Sequence, residues 1–212
     1  MPTLEEWTLW LHIAGGIVAL LAGVGALVTT KGRLRHRQTG KVFLVSMGVV
    51  VGTVFILLPL DPTPFRAILA LVAIFSGYLA FSGYRALSRK RPAQTAHPMD
   101  WTAAGSVILA CLGLSAWGIS WFLDGRSFGF VMLVFGGIGV AFGTIDLHQF
   151  RTRNAEGWMV NHLQRMIGAF IATVSAVSAV NLTSLLGITA WLWPTALGVP
   201  LIYYWSKKYS ES

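Results

Sequence analysis

Seven apolar stretches, each about as long as a bilayer is thick, take up most of this chain and leave it few ways to fold. A hydrocarbon core of roughly 30 Å calls for about 20 residues of apolar helix. The stretches run Trp7–Thr29, Val42–Leu60, Arg66–Leu87, Trp101–Leu123, Phe128–Leu147, Leu163–Leu182 and Leu185–Trp205. They predict an all-α integral membrane protein: one seven-transmembrane-helix bundle, a single membrane domain over residues 1–212.

Charge is scarce, at 11% of residues against 55% hydrophobic, which is too little to keep a soluble domain of this size in solution. Its placement sets the orientation. If the seven helices alternate, fourteen of the sixteen Lys and Arg fall on one side. They cluster at Lys31–Lys41, at Arg85–Arg91, around Arg151–Arg165 and at Lys207 and Lys208. The other side holds Arg66 and Arg126 beside Glu5, Glu6, Asp61 and Asp124. The positive-inside pattern then puts the N-terminus outside and the C-terminus in the cytoplasm. The basic links are suited to anionic lipid headgroups, at about 1 kcal/mol per nearby charge. The net charge of +8 does not point to nucleic acid, because no base-reading or stacking element accompanies it. The acidic N-terminal segment also lacks the basic start and small-residue cleavage site of a signal peptide. The single cysteine, Cys111, lies mid-span, so neither a disulfide framework nor a CxxC site is expected.

Turn chemistry separates the spans. Asp61-Pro62-Thr63-Pro64 and Asp124-Gly125-Arg126-Ser127 read as tight turns, and Asn181–Ser184 as the reversal between the last two spans. The longer links, Lys31–Lys41, Ser88–Asp100 and His148–Asn161, would lie on the cytoplasmic side, Ser88–Asp100 reading as a flexible strap with His97 solvated. Pro194 predicts a kink beside Trp191 and Trp193.

In lipid, helices associate where small residues let backbones approach. Span one carries His12, Gly16, Ala19, Gly23 and Ala26 at such spacing. Span five carries Gly136, Gly139, Gly143 and Asp146, and span six Arg165, Gly168, Ala172, Ser175 and Ala179. Tyr78, Ser82 and Arg85 share a face of span three. The stripes of spans five and six predict that these two helices pack against each other.

Two polar groupings follow from depth. The inner one gathers His36, Asp146, His148 and His162 as ligand or metal candidates, with Arg37, Arg85 and Arg165 as charge partners. The outer one is His12, Asp61 and Asn181. The plainer reading makes the arginines topology determinants and Asp146 the partner of one of them. Ionisable groups within spans are costly, however, and mark functional sites often enough to be weighed. Histidine and carboxylate suit zinc, iron or a bis-histidine haem, although no HxxxH or HExxH pair shares a helix. No GxSxG elbow, P-loop or dinucleotide fingerprint occurs, and the links offer no soluble catalytic domain.

Three segments carry a resemblance: residues 11–47, FSGYRAL at 81–87, and WMVNHLQRMIGAFIATVSAVSAVN at 158–181. Together they resemble the prokaryotic predicted-membrane-protein family known as domain of unknown function 2306. The matching positions are His12, Gly16, Lys31, Gly32, His36, Arg37 and Gly40. Near span six the family pattern His-Arg-x-Trp-Met-x-Arg is replaced by Trp158-Met159 ahead of His162 and Arg165, which marks a divergent branch. The resemblance implies a multi-pass protein of a prokaryotic cytoplasmic membrane, and candidate positions rather than an activity. Three functional classes follow: a binder of a small ligand, metal or haem at the inner grouping; a proton-coupled small-solute transporter; and a scaffold or assembly subunit in a homo- or hetero-oligomer.

Overall fold

The computed structural model describes residues 2–90, 95–152 and 157–210, so Arg91 and Arg153 of the basic links lie outside the described residues. Among those described, the structure is all helix. The elements are α1 (Leu4–Val28), α2 (Leu34–Leu60), α3 (Pro64–Ala86) with a 3-10 turn at Leu87–Arg89, α4 (Pro98–Leu123), α5 (Phe128–Thr152), α6 (Trp158–Leu186) and α7 (Thr189–Ser210). Six of them, α1 to α6, are long and apolar enough to cross a membrane. In α7 the apolar residues are diluted by Pro194, Pro200, paired tyrosines and the terminal Lys207 and Lys208.

The helices outrun the apolar stretches at several ends, and local chemistry explains where. Thr3 and Glu6 form a reciprocal capping box, the Thr3 N–H donating to the Glu6 carboxylate at 2.7 Å, so α1 starts at Leu4. The first basic link is mostly helix, since α2 begins at Leu34 and carries Arg35, His36, Arg37 and Lys41 in its first turns. Lys31 closes the end of α1 instead, its Nζ donating to the Ala26 and Leu27 carbonyls at 3.0 and 2.8 Å. Burial holds that ammonium below the ordinary lysine range. His97 is a cap rather than a free loop residue: its Nδ1 accepts from the Met99 N–H, and Asp100 accepts from its backbone N–H. The reversal after α6 falls at Gly187, not at Asn181–Ser184. Thr183 and Ser184 continue the helix, and Gly187 supplies the φ of +57° that turns the chain.

The chain divides into two compact units, Met1–Gly77 and Tyr78–Ser212, with the boundary inside α3. In the first unit α1 packs along α2. Gly15 faces Val49 and Val50, and Gly25 faces Thr39, while Gly16 has nothing within 4 Å of where a Cβ would stand. Val54, Ala70 and Ala73 form a small core with Leu58 beside it.

In the second unit α4 and α5 make the tightest seam. A Cβ on Gly129 would sit 2.5 Å from the Gly118 carbonyl oxygen and 2.6 Å from the Phe122 nitrogen. One on Gly136 would sit 2.8 Å from the Cys111 oxygen, and one on Gly143 would strike Ile108. The glycine stripe of α5 therefore seats on α4, not on α6 as its register with the α6 stripe predicted. The small residues of α6 instead admit the last turns of α3, with Gly168 beneath Leu79 and Gly83 against Arg165 and Met166. On another face α6 meets α7, where Trp193 Nε1 donates to Ser178 Oγ at 2.8 Å and Gln164 to Ser206 at 3.2 Å.

Candidate functional site

The second unit encloses a charged pair built from three helices. Asp146 continues the buried face of α5 that begins at Gly129, and it is 2% exposed. Arg165, two turns into α6, is 1% exposed. Its Nη2 donates to Asp146 Oδ1 at 2.6 Å and its Nε lies 3.4 Å from Oδ2. The Tyr78 hydroxyl, from α3, donates to the same Oδ2 at 2.5 Å. Beneath the guanidinium lies the Phe142 ring, with Cζ 4.1 Å from its centroid.

Depth comes from the helix ends. Six residues of α5 follow Asp146 and seven of α6 precede Arg165. At 1.5 Å per residue the pair lies about 9–10.5 Å inside those helices. The apolar stretches had placed both residues at a boundary, because hydropathy falls away at His148 and Asn161 while the helices run on.

Desolvating two charges costs several kcal/mol each, and only good geometry with further hydrogen bonds recovers it. Here both carboxylate oxygens are engaged, one ion neutralises the other, and an aromatic face replaces water on the cation. His162 adds a neighbouring lock. Its Nδ1–H donates to the Gly83 carbonyl at 2.8 Å, which fixes the tautomer and ties α6 to α3 one turn from Arg165.

A second charged group closes the helix ends nearby in the chain. Arg85 grips Asp100 with both prongs, Nε to Oδ1 at 2.7 Å and Nη2 to Oδ2 at 3.0 Å. Arg89 Nη1 approaches Asp100 Oδ2 to 3.4 Å, and its Cζ stands 4.8 Å from the Phe150 ring centroid. Trp101 meets Phe150 edge-on, with centroids 5.5 Å apart.

In the first unit the polar contacts are neutral or terminal. His12 Nδ1 is 2.9 Å from Thr53 Oγ1. The Thr53 hydroxyl proton is directed at the Val49 and Val50 carbonyls, so His12 is the donor. Arg66 joins Glu5 at 2.6 Å and Asp61 at 3.3 Å, all three partly exposed.

The sequence-derived candidates thus separate. Asp146 and Arg165 are brought together, and Arg85 pairs with Asp100. His36 Nδ1 donates to the Ala26 carbonyl at 3.0 Å, and Arg37 is exposed beside it on α2. His148 is exposed, two residues past Asp146 and so on another side of α5. Of the outer set, His12 bonds Thr53 and Asp61 meets Arg66. Asn181 is exposed and donates to the Val177 carbonyl of its own helix at 2.8 Å. Among the described residues no three His, Cys, Asp or Glu gather as a metal site.

Sequence reasoning passed over Asp100, Arg89, Phe142 and Phe150. The signal for Asp100 was present: a carboxylate three residues after His97 and just after Pro98 is the third position of a capped helix start. Compared with protein-family models, curated proteins and solved structures, the chain matches none.

Proposed function

We propose that this is a seven-span protein of a prokaryotic cytoplasmic membrane that couples movement of a small anionic solute to proton transfer at Asp146. In this reading α7 is the seventh span, the N-terminus is outside and the basic links face the cytoplasm. The observation that carries it is the Asp146–Arg165 pair, shut away from solvent well inside two membrane-crossing helices and completed by Tyr78. Buried ionisable groups at such depth are the usual parts of proton relays and ion pathways.

The chemistry is an exchange of partners. A proton on Asp146 cancels its charge and frees the Arg165 guanidinium, which then takes a carboxylate or phosphate of the solute in its place. Loss of the proton restores the internal pair and expels the anion. At each stage the buried cation has one anionic partner, so neither stage strands a charge in low dielectric. We place this above metal or haem binding by His36, Asp146, His148 and His162, because Asp146 already spends both oxygens on Tyr78 and Arg165. The same reading makes the chain a divergent relative of the family that its His12–Gly40 pattern and 158–181 segment resemble.

Proteoliposomes carrying a pH-sensitive dye test it. Small carboxylates or phosphate added outside should drive a proton movement that Asp146→Asn abolishes while helicity is retained. Intact wild-type protein that moves no protons with either class of anion would overturn the reading. Elemental analysis and a search for a Soret band on the same preparation check the metal and haem alternative.

A further inference from the structure

The charged group at the end of α3 holds one cation more than its carboxylates can serve. Asp100 Oδ2 already accepts from Arg85 Nη2 at 3.0 Å and from the His97 backbone N–H at 2.8 Å, and Oδ1 accepts from Arg85 Nε. That is why Arg89 Nη1, at 3.4 Å from Oδ2, has an ionic contact but no hydrogen bond. The nitrogen is buried and unpartnered. Asp146 cannot serve it either, being engaged by Arg165 and Tyr78. Three guanidinium groups, Arg85, Arg89 and Arg165, thus stand against two carboxylates.

The surroundings are shaped for an oxyanion rather than for a third carboxylate of this chain. Phe150, from the end of α5, backs the Arg89 guanidinium, and Trp101 closes on Phe150 from the first turn of α4. Lys90, the next residue, holds its ammonium 4.4 Å from the ring centroid of Trp158, which opens α6. Two cations adjacent in the chain, one with an unmet buried donor and each set against an aromatic ring, stand where four helix ends meet. Tryptophan and arginine at helix ends are also the residues that favour the level of lipid headgroups.

We propose that Arg89 and Lys90 form a binding site for a phosphate oxyanion at the junction of α3, α4, α5 and α6. The phosphate belongs either to an anionic phospholipid headgroup or to a free or soluble phosphate. Arg89 gives the directed N–H, Lys90 the second charge, and Asp100 holds Arg85 back from competing. The proposal does not depend on transport.

Native mass spectrometry of the whole protein from nanodiscs, one set pure phosphatidylcholine and one mixed with phosphatidylglycerol, supplies the lipid arm. Retention of phosphatidylglycerol over phosphatidylcholine should fall about fivefold in Arg89→Gln and in Lys90→Gln, the loss expected for one near-surface charge. It should not fall in Arg126→Gln, at the far end of α4. The second arm titrates inorganic phosphate against chloride at equal ionic strength in detergent, reading Trp fluorescence and thermal stability. Lipid preference without a phosphate response assigns the site to a headgroup, and the converse assigns it to soluble phosphate. Absence of both in the wild type overturns the proposal, as does a preference that survives Arg89→Gln and Lys90→Gln unchanged. Should Arg89→Gln fail to fold, the exposed Lys90 and the wild-type phosphate titration still decide.

Discussion

The helix pairs α1–α2 and α4–α5 are both antiparallel neighbours with glycine in the seam, yet they are held in different ways. Between α1 and α2 the glycines meet side chains: Gly15 would crowd Val49 at 3.2 Å and Gly25 would crowd Thr39 at 3.1 Å. Those neighbours can shift a little. Between α4 and α5, Gly129 and Gly136 meet main chain, which cannot, while Gly143 meets the Ile108 side chain. Polar chemistry divides the same way. The first unit ties α1 to α2 through His12 with Thr53 and His36 with Ala26 and carries a partly exposed Arg66 group, whereas the second buries an ion pair outright. Glycine in a membrane helix can therefore ease packing or permit it, and only the identity of the facing atom tells which.

The comparison breaks most sharply at the ion pair. Replacing Arg165 by Met should cost about 3–5 kcal/mol, since it strands Asp146 in an apolar interior. The double change Asp146→Leu with Arg165→Met should recover most of that, which reversible unfolding in mixed micelles would show. If the double variant is as unstable as the single, the cost belongs to packing and not to charge.

Next come the glycines. Gly129→Ala and Gly136→Ala should each cost about 1–3 kcal/mol or more by forcing α4 and α5 apart. Gly16→Ala should be near neutral, with Gly15→Ala between them. Thermal unfolding across the four variants ranks them. Equal effects at Gly16 and Gly129 would erase the distinction between the two seams.

In the first unit, Thr53→Val removes the partner of His12 at nearly constant shape. The expected loss is about 0.6 kcal/mol and at most about 1.7, the range measured for hydrogen bonds between membrane helices. Smallest of all is Arg66→Gln, expected to cost under about 0.5 kcal/mol because the group is partly exposed, and less still at high salt. A salt-independent loss larger than that of Thr53→Val would reverse the order and make Arg66 a buried anchor.

Much of this was legible before any coordinates. Helix number followed from hydropathy, and six apolar membrane-length helices stand where spans one to six were drawn. Asp146 and Arg165 announced themselves as charges on stripes of small residues. What hydropathy hid were helix ends and partners. Capping at Thr3 and His97 extends helices through polar residues, and α5 and α6 run five residues past their apolar limits. That shift turns Asp146 from a boundary residue into an interior one. The partner of the α5 glycine stripe was also hidden, because small residues at helical spacing state that something approaches and not which helix does. The capping role of Asp100 was legible beside His97, but its pairing with Arg85, fifteen residues earlier, is one that no local pattern encodes.

Gly83 carries a consequence for how sequences of this type can diverge. Its missing side chain leaves room for the Cβ of Arg165, which a Cβ at position 83 would approach to 2.9 Å, and its carbonyl receives His162. Positions 83, 162 and 165 are thus bound into one inherited unit. A lineage that keeps arginine at 165 is confined to glycine at 83. The crowding is with a β-carbon that every residue but glycine carries, and with Met166, so a smaller residue at 165 would release Asp146 from the need to remain acidic yet leave position 83 as confined as before. Substitution should accordingly be correlated between 146 and 165, while 83 stays glycine whichever side chain stands at 165.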